Sequence, residues 1–252
     1  MTTDAHAEAL PSVNVVPVGA PFRWLAAGAR DYLAHPMPSA FYGACFALMG
    51  WLIALTLQHA FQYVSALTTG FFLVGPFVAI GIYDLSRRRE RDQPVTLAPT
   101  LDAWRANTGA IGVFAIVLAV ILLVWARASL VVFALFYTGG MPTLATFLEQ
   151  FFAVSNVEFL LAYACVGGFF ALFTFAVSVV SVPMMLDRRI DGVVAVLTSL
   201  RAFGANVPAM LLWAGLIVVV IAAGFALFFA GLVVAVPLIG HATWHAYREL
   251  VR

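Results

Sequence analysis

Charge is scarce in this chain and lysine is missing altogether: all 13 basic residues are arginine, set against 12 acids in 252 residues. Charged side chains make up 10% of the sequence, where a soluble domain carries about 25%. Hydrophobic residues make up 63%, and the mean hydropathy is +1.01. So little polar material, gathered in a few short stretches, cannot cover the surface of a soluble core. The composition defines an integral membrane protein in contact with a lipid bilayer. A net charge of +1 carries no signal for nucleic acid, and no nucleic-acid partner is expected.

Other absences narrow the class further. The two cysteines, Cys45 and Cys165, sit in apolar runs without zinc-knuckle or redox spacing and read as packing residues. There is no HExxH, no GxSxG and no P-loop, and no apolar run pairs a nucleophile with a base. The chain is therefore expected to be non-enzymatic and to carry no cofactor. The centres of the apolar runs hold no ionisable side chain, which argues against a proton or sodium relay. Their strongest polar groups are Thr68, Thr69, Tyr163, Thr174, Ser178 and Ser181, and serine or threonine in a span usually bonds its own backbone. The first 20 residues are polar and lack the basic and apolar regions of a secretory signal. A disordered cytoplasmic tail is expected over 1–20, followed by a single transmembrane domain over 21–252.

What is present is a set of long apolar runs. A hydrocarbon core about 30 Å thick needs about 20 apolar residues in a helix. Runs at 38–58, 65–84, 109–127 and 157–183 fit one span each. The run 207–247 has 41 residues, about 60 Å of helix, and is expected to fold into a hairpin near Gly224 to Gly231. That makes six spans and an all-α polytopic bundle. With six, Arg23, Arg30, the cluster Arg87 to Arg91, Arg105, Arg188, Arg189, Arg201, Arg248 and Arg252 all fall on one side. The positive-inside rule places that side, and both termini, in the cytoplasm. Residues 128–156 then form the outer loop, and SLVVFALF within it either extends the third span or dips back into the bilayer.

The helix ends repeat. Pro76 is followed by Tyr83, Asp84 and Arg87 at the same spacings at which Pro237 is followed by Trp244, His245 and Arg248, and Pro183 precedes Asp187 and Arg188 more loosely. Short amphipathic segments precede each span pair: Phe22, Leu25, Ala29 and Tyr32; Leu97, Leu101 and Trp104; Val193, Leu197 and Leu200. Such segments lie in the membrane interface, so the expected unit is interfacial helix, span, span, three times over. Gly70, Gly75 and Gly81, and the Ala164-xxx-Gly168 pair, are expected at close helix contacts.

The candidate site is the stretch GHATWHAYREL. His241, His245 and Arg248 share one helical stripe. Three readings stand: histidines capping the bundle, a phosphate or headgroup site, or a metal held by His241 and His245. A metal needs a third ligand, for which Asp84 and Asp187 at the related helix ends are the candidates. Together Asp84, Asp187, Arg188, His241, His245 and Arg248 form the expected polar cluster. The stretches GPFVAIGIYDLSRRRE, VSVPMMLDRR and GHATWHAYREL resemble segments of an uncharacterised, mainly proteobacterial family of multi-span inner-membrane proteins, filed as a domain of unknown function. The resemblance covers roughly residues 20–250 and implies no activity. The function expected is an accessory, scaffold or assembly subunit working with other membrane proteins in the bacterial inner membrane. The alternative is a transporter or channel-like protein for a small apolar or lipidic solute, with a cavity lined by Thr68, Thr69, Ser178 or Ser181.

Overall fold

The computed structural model describes residues 10–59, 78–136 and 157–252. Among these all regular structure is helical, apart from one isolated antiparallel bridge between Val13 and Val251. The helices are α1 (Ala20–Ala34), α2 (Pro36–His59), α3 (78–90), α4 (Leu97–Leu101), α5 (Thr108–Phe136), α6 (Val157–Ser178), α7 (Ser181–Asp187), α8 (Gly192–Ala205), α9 (Val207–Ala226) and α10 (Leu232–Leu250). A 3-10 turn, Ala103–Asn107, leads into α5. The chain divides into two compact units, Met1–Phe114 with Val177–Arg252, and Ala115–Ala176.

Among the described residues four stretches are long and apolar enough to cross a bilayer: Pro36–Thr56, Ala103–Phe136, Val157–Asp187 and Val207–Ala226. They correspond to the first, third, fourth and fifth expected spans. Most of the second expected span, including Thr68, Thr69, Gly70, Gly75 and Pro76, lies outside the described residues, as does TLATFLEQFF. The final helix does not qualify, because its second half is GHATWHAYREL rather than apolar. The hairpin before it is where the small residues predict: α9 ends at Ala226 and α10 begins at Leu232. The reversal is tight, since a Cβ on Gly231 would stand 2.8 Å from Gly224 Cα. Phe228 and Phe229 carry the turn at φ of 50° and 64°. SLVVFALF continues α5 without a break to Phe136.

The first unit is organised around α10, which packs on α1, α2 and α9. Pro36 lacks an N–H and restricts His35, so α1 ends at φ −136°, ψ 63° and α2 starts a new helix alongside α10. Close approach to α1 is made possible by Gly28, where a Cβ would meet Ala242 N at 2.7 Å and Leu238 O at 2.8 Å. Gly81 lies beneath the Tyr42 ring in the same way, in an apolar cluster of Tyr42, Ile82 and Leu85. The close contact expected at Gly81 is thus present. At Gly168 a Cβ meets nothing within 4 Å among the described residues.

The inward face of α1 is also not the apolar stripe. Trp24, Gly28 and Asp31 are buried, while Phe22 is 57% exposed. Helix α8 behaves likewise, burying Ala195, Thr198, Ser199 and Ala202 and turning Val193, Leu197 and Leu200 outward. The segment at Leu97 differs, being a five-residue helix and a 3-10 turn. Part of the expected tail is held in place: Asn14 N donates to Leu250 O (2.9 Å), and Val16 N to Asn206 Oδ1 (2.7 Å). In the second unit, Phe133 meets Phe159 edge to face, and Ser129 Oγ donates to Tyr163 OH (3.1 Å).

The Gly28 contact is testable against a glycine of the same helical type in open space. Gly28→Ala puts a methyl group against backbone that cannot rotate away, and overpacking of this kind costs about 1–3 kcal/mol. Gly112→Ala, with nothing within 4 Å among the described residues, is expected to melt at or slightly above the wild-type temperature. Thermal melting in detergent distinguishes them, and equal melting of both variants would contradict the close α1–α10 approach.

Candidate functional site

The polar residues of the first unit gather where α3 and α10 end, beside α1 and α7. Their centre is Asp31, only 5% exposed. Its Oδ2 accepts from Ser86 Oγ of α3 (2.5 Å) and faces His245 Nε2 of α10 (2.9 Å), while its Oδ1 pairs with Arg89. One carboxylate therefore joins α1, α3 and α10. Burial alone would raise the Asp31 carboxyl, but the bonds from His245 and Ser86 outweigh it and hold it below its ordinary value of 3.8.

Ser86 extends this junction to the second histidine. Its hydroxyl is donated to Asp31, so its oxygen accepts from His241 Nδ1 (2.7 Å). On the other side of the ring, Nε2 lies 2.9 Å from Ser39 Oγ, which is also 2.8 Å from the carbonyl of His35, the residue that caps α1. Ser39, Ser86 and His241 are all buried. The chain Ser39, His241, Ser86, Asp31 is fully bonded in two ways that differ by one proton. With a neutral ring, Ser39 donates to Nε2; with an imidazolium, Nε2–H donates to Ser39, which then donates to His35.

The run RRRER at 87–91 distributes itself over the neighbouring helices. Arg87 Nη1 donates to Leu186 O at the end of α7 (2.6 Å), and its Nη2 lies 2.5 Å from Asp84 Oδ1. Arg88 Nε donates to Asp84 Oδ2 (2.7 Å). Glu90 accepts from Trp244 Nε1 and Arg248 Nε, each at 2.9 Å. Arg91 Nη2 reaches Asp187 Oδ1 (2.6 Å). Asp187 Oδ2 also accepts from Tyr247 OH (2.8 Å) and Arg248 Nη1 (3.2 Å). Arg188 closes the group through Nε to Tyr247 OH (3.2 Å). Desolvation opposes the charge on Arg248, but Glu90 and Asp187 outweigh it and raise its pKa.

Of the six residues expected to cluster, Asp187, Arg188 and Arg248 thus meet directly or through Tyr247. His241 and His245 meet Asp31 rather than Asp84 or Asp187, and Asp84 is engaged by two arginines of its own helix. Among the described residues no group of three or more His, Cys, Asp or Glu side chains could hold a metal ion. Both nitrogens of His241 already face serine hydroxyls. Ser181 Oγ, proposed for a cavity lining, is buried and donates to Val177 O (2.5 Å). The residues that sequence reasoning missed are Asp31, Ser39, Ser86, Arg89, Glu90 and Glu249. Trp24 and Glu249 show the same pattern at the other end of α1, with Trp24 Nε1 donating to Glu249 Oε2 (2.7 Å) and Arg23 pairing with Oε1 (2.5 Å). The available signal was Gly28, one turn before Asp31 on the same face.

Apolar helices of spanning length, with polar side chains paired at one end of a compact unit, define an integral membrane protein. Residues 64–187 match the family described as predicted integral membrane protein (DUF2189), a domain of unknown function. The match takes in the GPFVAIGIYDLSRRRE stretch and VSVPMMLDRR as far as Asp187, whereas GHATWHAYREL lies beyond it. No curated protein and no solved structure matches the chain.

Because the Asp31 carboxyl titrates below its unfolded value, its stabilisation is complete above the ordinary carboxylate pKa and is lost as pH falls through the lower folded value. Removing one partner of a buried pair costs about 3–5 kcal/mol. Arg89 is 38% exposed, so Asp31→Asn is expected to cost about 2–3 kcal/mol after allowing for solvent screening. The gap between wild-type and Asp31→Asn melting temperatures should be constant from neutral pH to about pH 4 and close below it. A pH-independent gap would remove the ionised carboxylate from this role.

Proposed function

We propose that this chain is a six-span protein of the bacterial inner membrane, with both termini in the cytoplasm, and that it serves as a non-enzymatic accessory or assembly subunit of a membrane complex. The observation that carries this reading is the division of its side chains. The carboxylates of the polar end are engaged by arginine, histidine, serine or aromatic donors of the same chain. Three of the four apolar stretches, by contrast, bury little of themselves: 17% of the apolar window in Pro36–Thr56, 11% of that in Ala103–Phe136 and 22% of that in Val207–Ala226 lie inside the protein, against 56% in Val157–Asp187. Such faces suit lipid and the packing of other membrane helices.

The six-span reading adds residues 65–84 and α10 to the four apolar stretches of spanning length. The outward stripes of α1 and α8 support interfacial helices ahead of the first and third span pairs. The threefold repeat of interfacial helix and span pair belongs to the same proposal, with the middle copy the most divergent. The arginine distribution supports the orientation.

Topology and association are tested separately. In a background of Cys45→Ser and Cys165→Ser, an engineered cysteine at Gly139 should be labelled by an impermeant reagent from the periplasm, and one at Arg91 should be spared. The reverse pattern would invert the orientation. Extraction at native expression in several mild detergents should recover the chain with the same stoichiometric membrane partner each time. Recovery of the chain alone in all of them, with solute flux in proteoliposomes, would favour transport instead.

A further inference from the structure

One cleft in the first unit is lined by residues that the polar network leaves aside. It has a volume of ≈ 710 Å³ and lies between the 3-10 turn with the first turns of α5 and the loop from Arg189 into α8. Its walls are fixed to each other. Asn107 Nδ2 donates to Ile190 O (2.9 Å) and Met185 O (3.3 Å), and a Cβ on Gly192 would stand in ordinary contact with Ala110 O at 3.4 Å. Two arginines face this cleft. Arg189 is exposed and has no ion pair or hydrogen bond among the described residues. Arg105 has only a loose 3.4 Å contact with the exposed Asp102, and its guanidinium lies 5.4 Å from the centre of the Trp104 ring.

The remaining lining adds two further features. Asp191 uses Oδ1 to cap Val193 N (2.7 Å), which leaves its Oδ2 available to accept from a hydroxyl. Val113 and Val193, both more than half exposed, carry an apolar wall from the cleft onto the outward face of the helices. Arg105 and Trp104 occupy the first turn of the spanning stretch Ala103–Phe136, the level at which aromatic and basic side chains meet lipid headgroups. We propose that this cleft binds the phosphodiester headgroup of an anionic, hydroxyl-bearing phospholipid. Arg105 and Arg189 pair with the phosphate, Asp191 accepts from a headgroup hydroxyl, and Val113 and Val193 carry the start of the acyl region. A basic pocket beside a span at the membrane interface is suited to this chemistry, and the helix start at Gly192 adds its positive end.

Lipid binding by the purified full-length chain is measured by native mass spectrometry, titrating phosphatidylglycerol against phosphatidylcholine. The wild type is expected to prefer phosphatidylglycerol about tenfold or more. Arg105→Gln with Arg189→Gln should reduce the preference to about twofold or less, while Arg201→Gln, an exposed arginine elsewhere on α8, should preserve it. Arg189→Gln alone, which breaks no contact among the described residues, should remove most of it and covers the case in which the double variant does not fold. Absence of preference in the wild type, or an equal loss in Arg201→Gln, would overturn the site. Millimolar inorganic phosphate then separates the sources. Retention of the lipid assigns the site to a headgroup, whereas displacement at lipid-like affinity would overturn the lipid assignment in favour of a soluble phosphate.

Discussion

The structure of the first unit depends on one buried carboxylate being shared by three helices. Asp31 can stand between α1, α3 and α10 only because Gly28, one turn earlier, lets the α1 backbone approach Ala242 and Leu238. At that separation a charge without partners would carry a desolvation penalty of several kcal/mol. Ser86, Arg89 and His245 remove it by directing three donors at two oxygens. The glycine and the acid are thus one device. The first sets the distance, and the second makes that distance specific, since an apolar residue at position 31 would leave Ser86 and Arg89 without their acceptor.

From this junction the α3 terminus organises what surrounds it. The four arginines of this run would repel on an isolated helix, yet its side chains fan out by about 100° each, and all but Arg88 reach neighbouring helices. Arg87 and Arg91 hold α7, Arg89 holds α1 and Glu90 holds α10. α7 is only seven residues long and all but its last residue are buried. Its carbonyl end and Asp187 are fixed by arginines of α3 and α10. Trp24, Trp244 and Tyr247 supply the apolar bulk between these pairs, and each aims its N–H or O–H at a carboxylate. A helix end so arranged can emerge from a bilayer without leaving a buried charge unpaired, which is the condition hydrocarbon imposes.

Much of this architecture was legible from composition and length, because hydrophobic run length is a local property. The hairpin after Ala226 followed from small residues alone, whereas SLVVFALF fitted an extension of the third span and a dip back into the bilayer equally well, and only the structure carries it on in α5. Partner choice was not legible in the same way. Asp84, Asp187 and His245 look equivalent in the repeat, but Asp84 lies one turn from Arg87 and Arg88, and the intrahelical contact wins over the distant one. The carboxylate that does reach the histidines comes from the first helix, 214 residues from His245 in sequence. The inward face of α1 was missed for a related reason. An amphipathic pattern marks which side is apolar, but in a membrane protein the apolar side faces outward, and the face that packs is the one bearing Gly28 and Asp31. The family match, over residues 64–187, secures the class without reaching either α1 or α10, the two helices between which Asp31 and the histidines meet.

The two histidines of the GHATWHAYREL stretch also acquire different characters from this geometry, despite their equivalent spacing. His245 is 31% exposed at its side chain and holds the Asp31 carboxylate directly. His241 is buried and reaches the same carboxylate only through Ser86, while its other nitrogen faces Ser39 on α2. A metal would require lone pairs from both rings on one ion. Here the Nδ1 of His241 must carry a proton so long as Ser86 donates to Asp31. That nitrogen is therefore a donor, and His241 retains only Nε2, which is aimed at α2 rather than towards His245's carboxylate partner. Through these bonds the stripe connects α1 and α2, on either side of His35, to the same helix and the same acid.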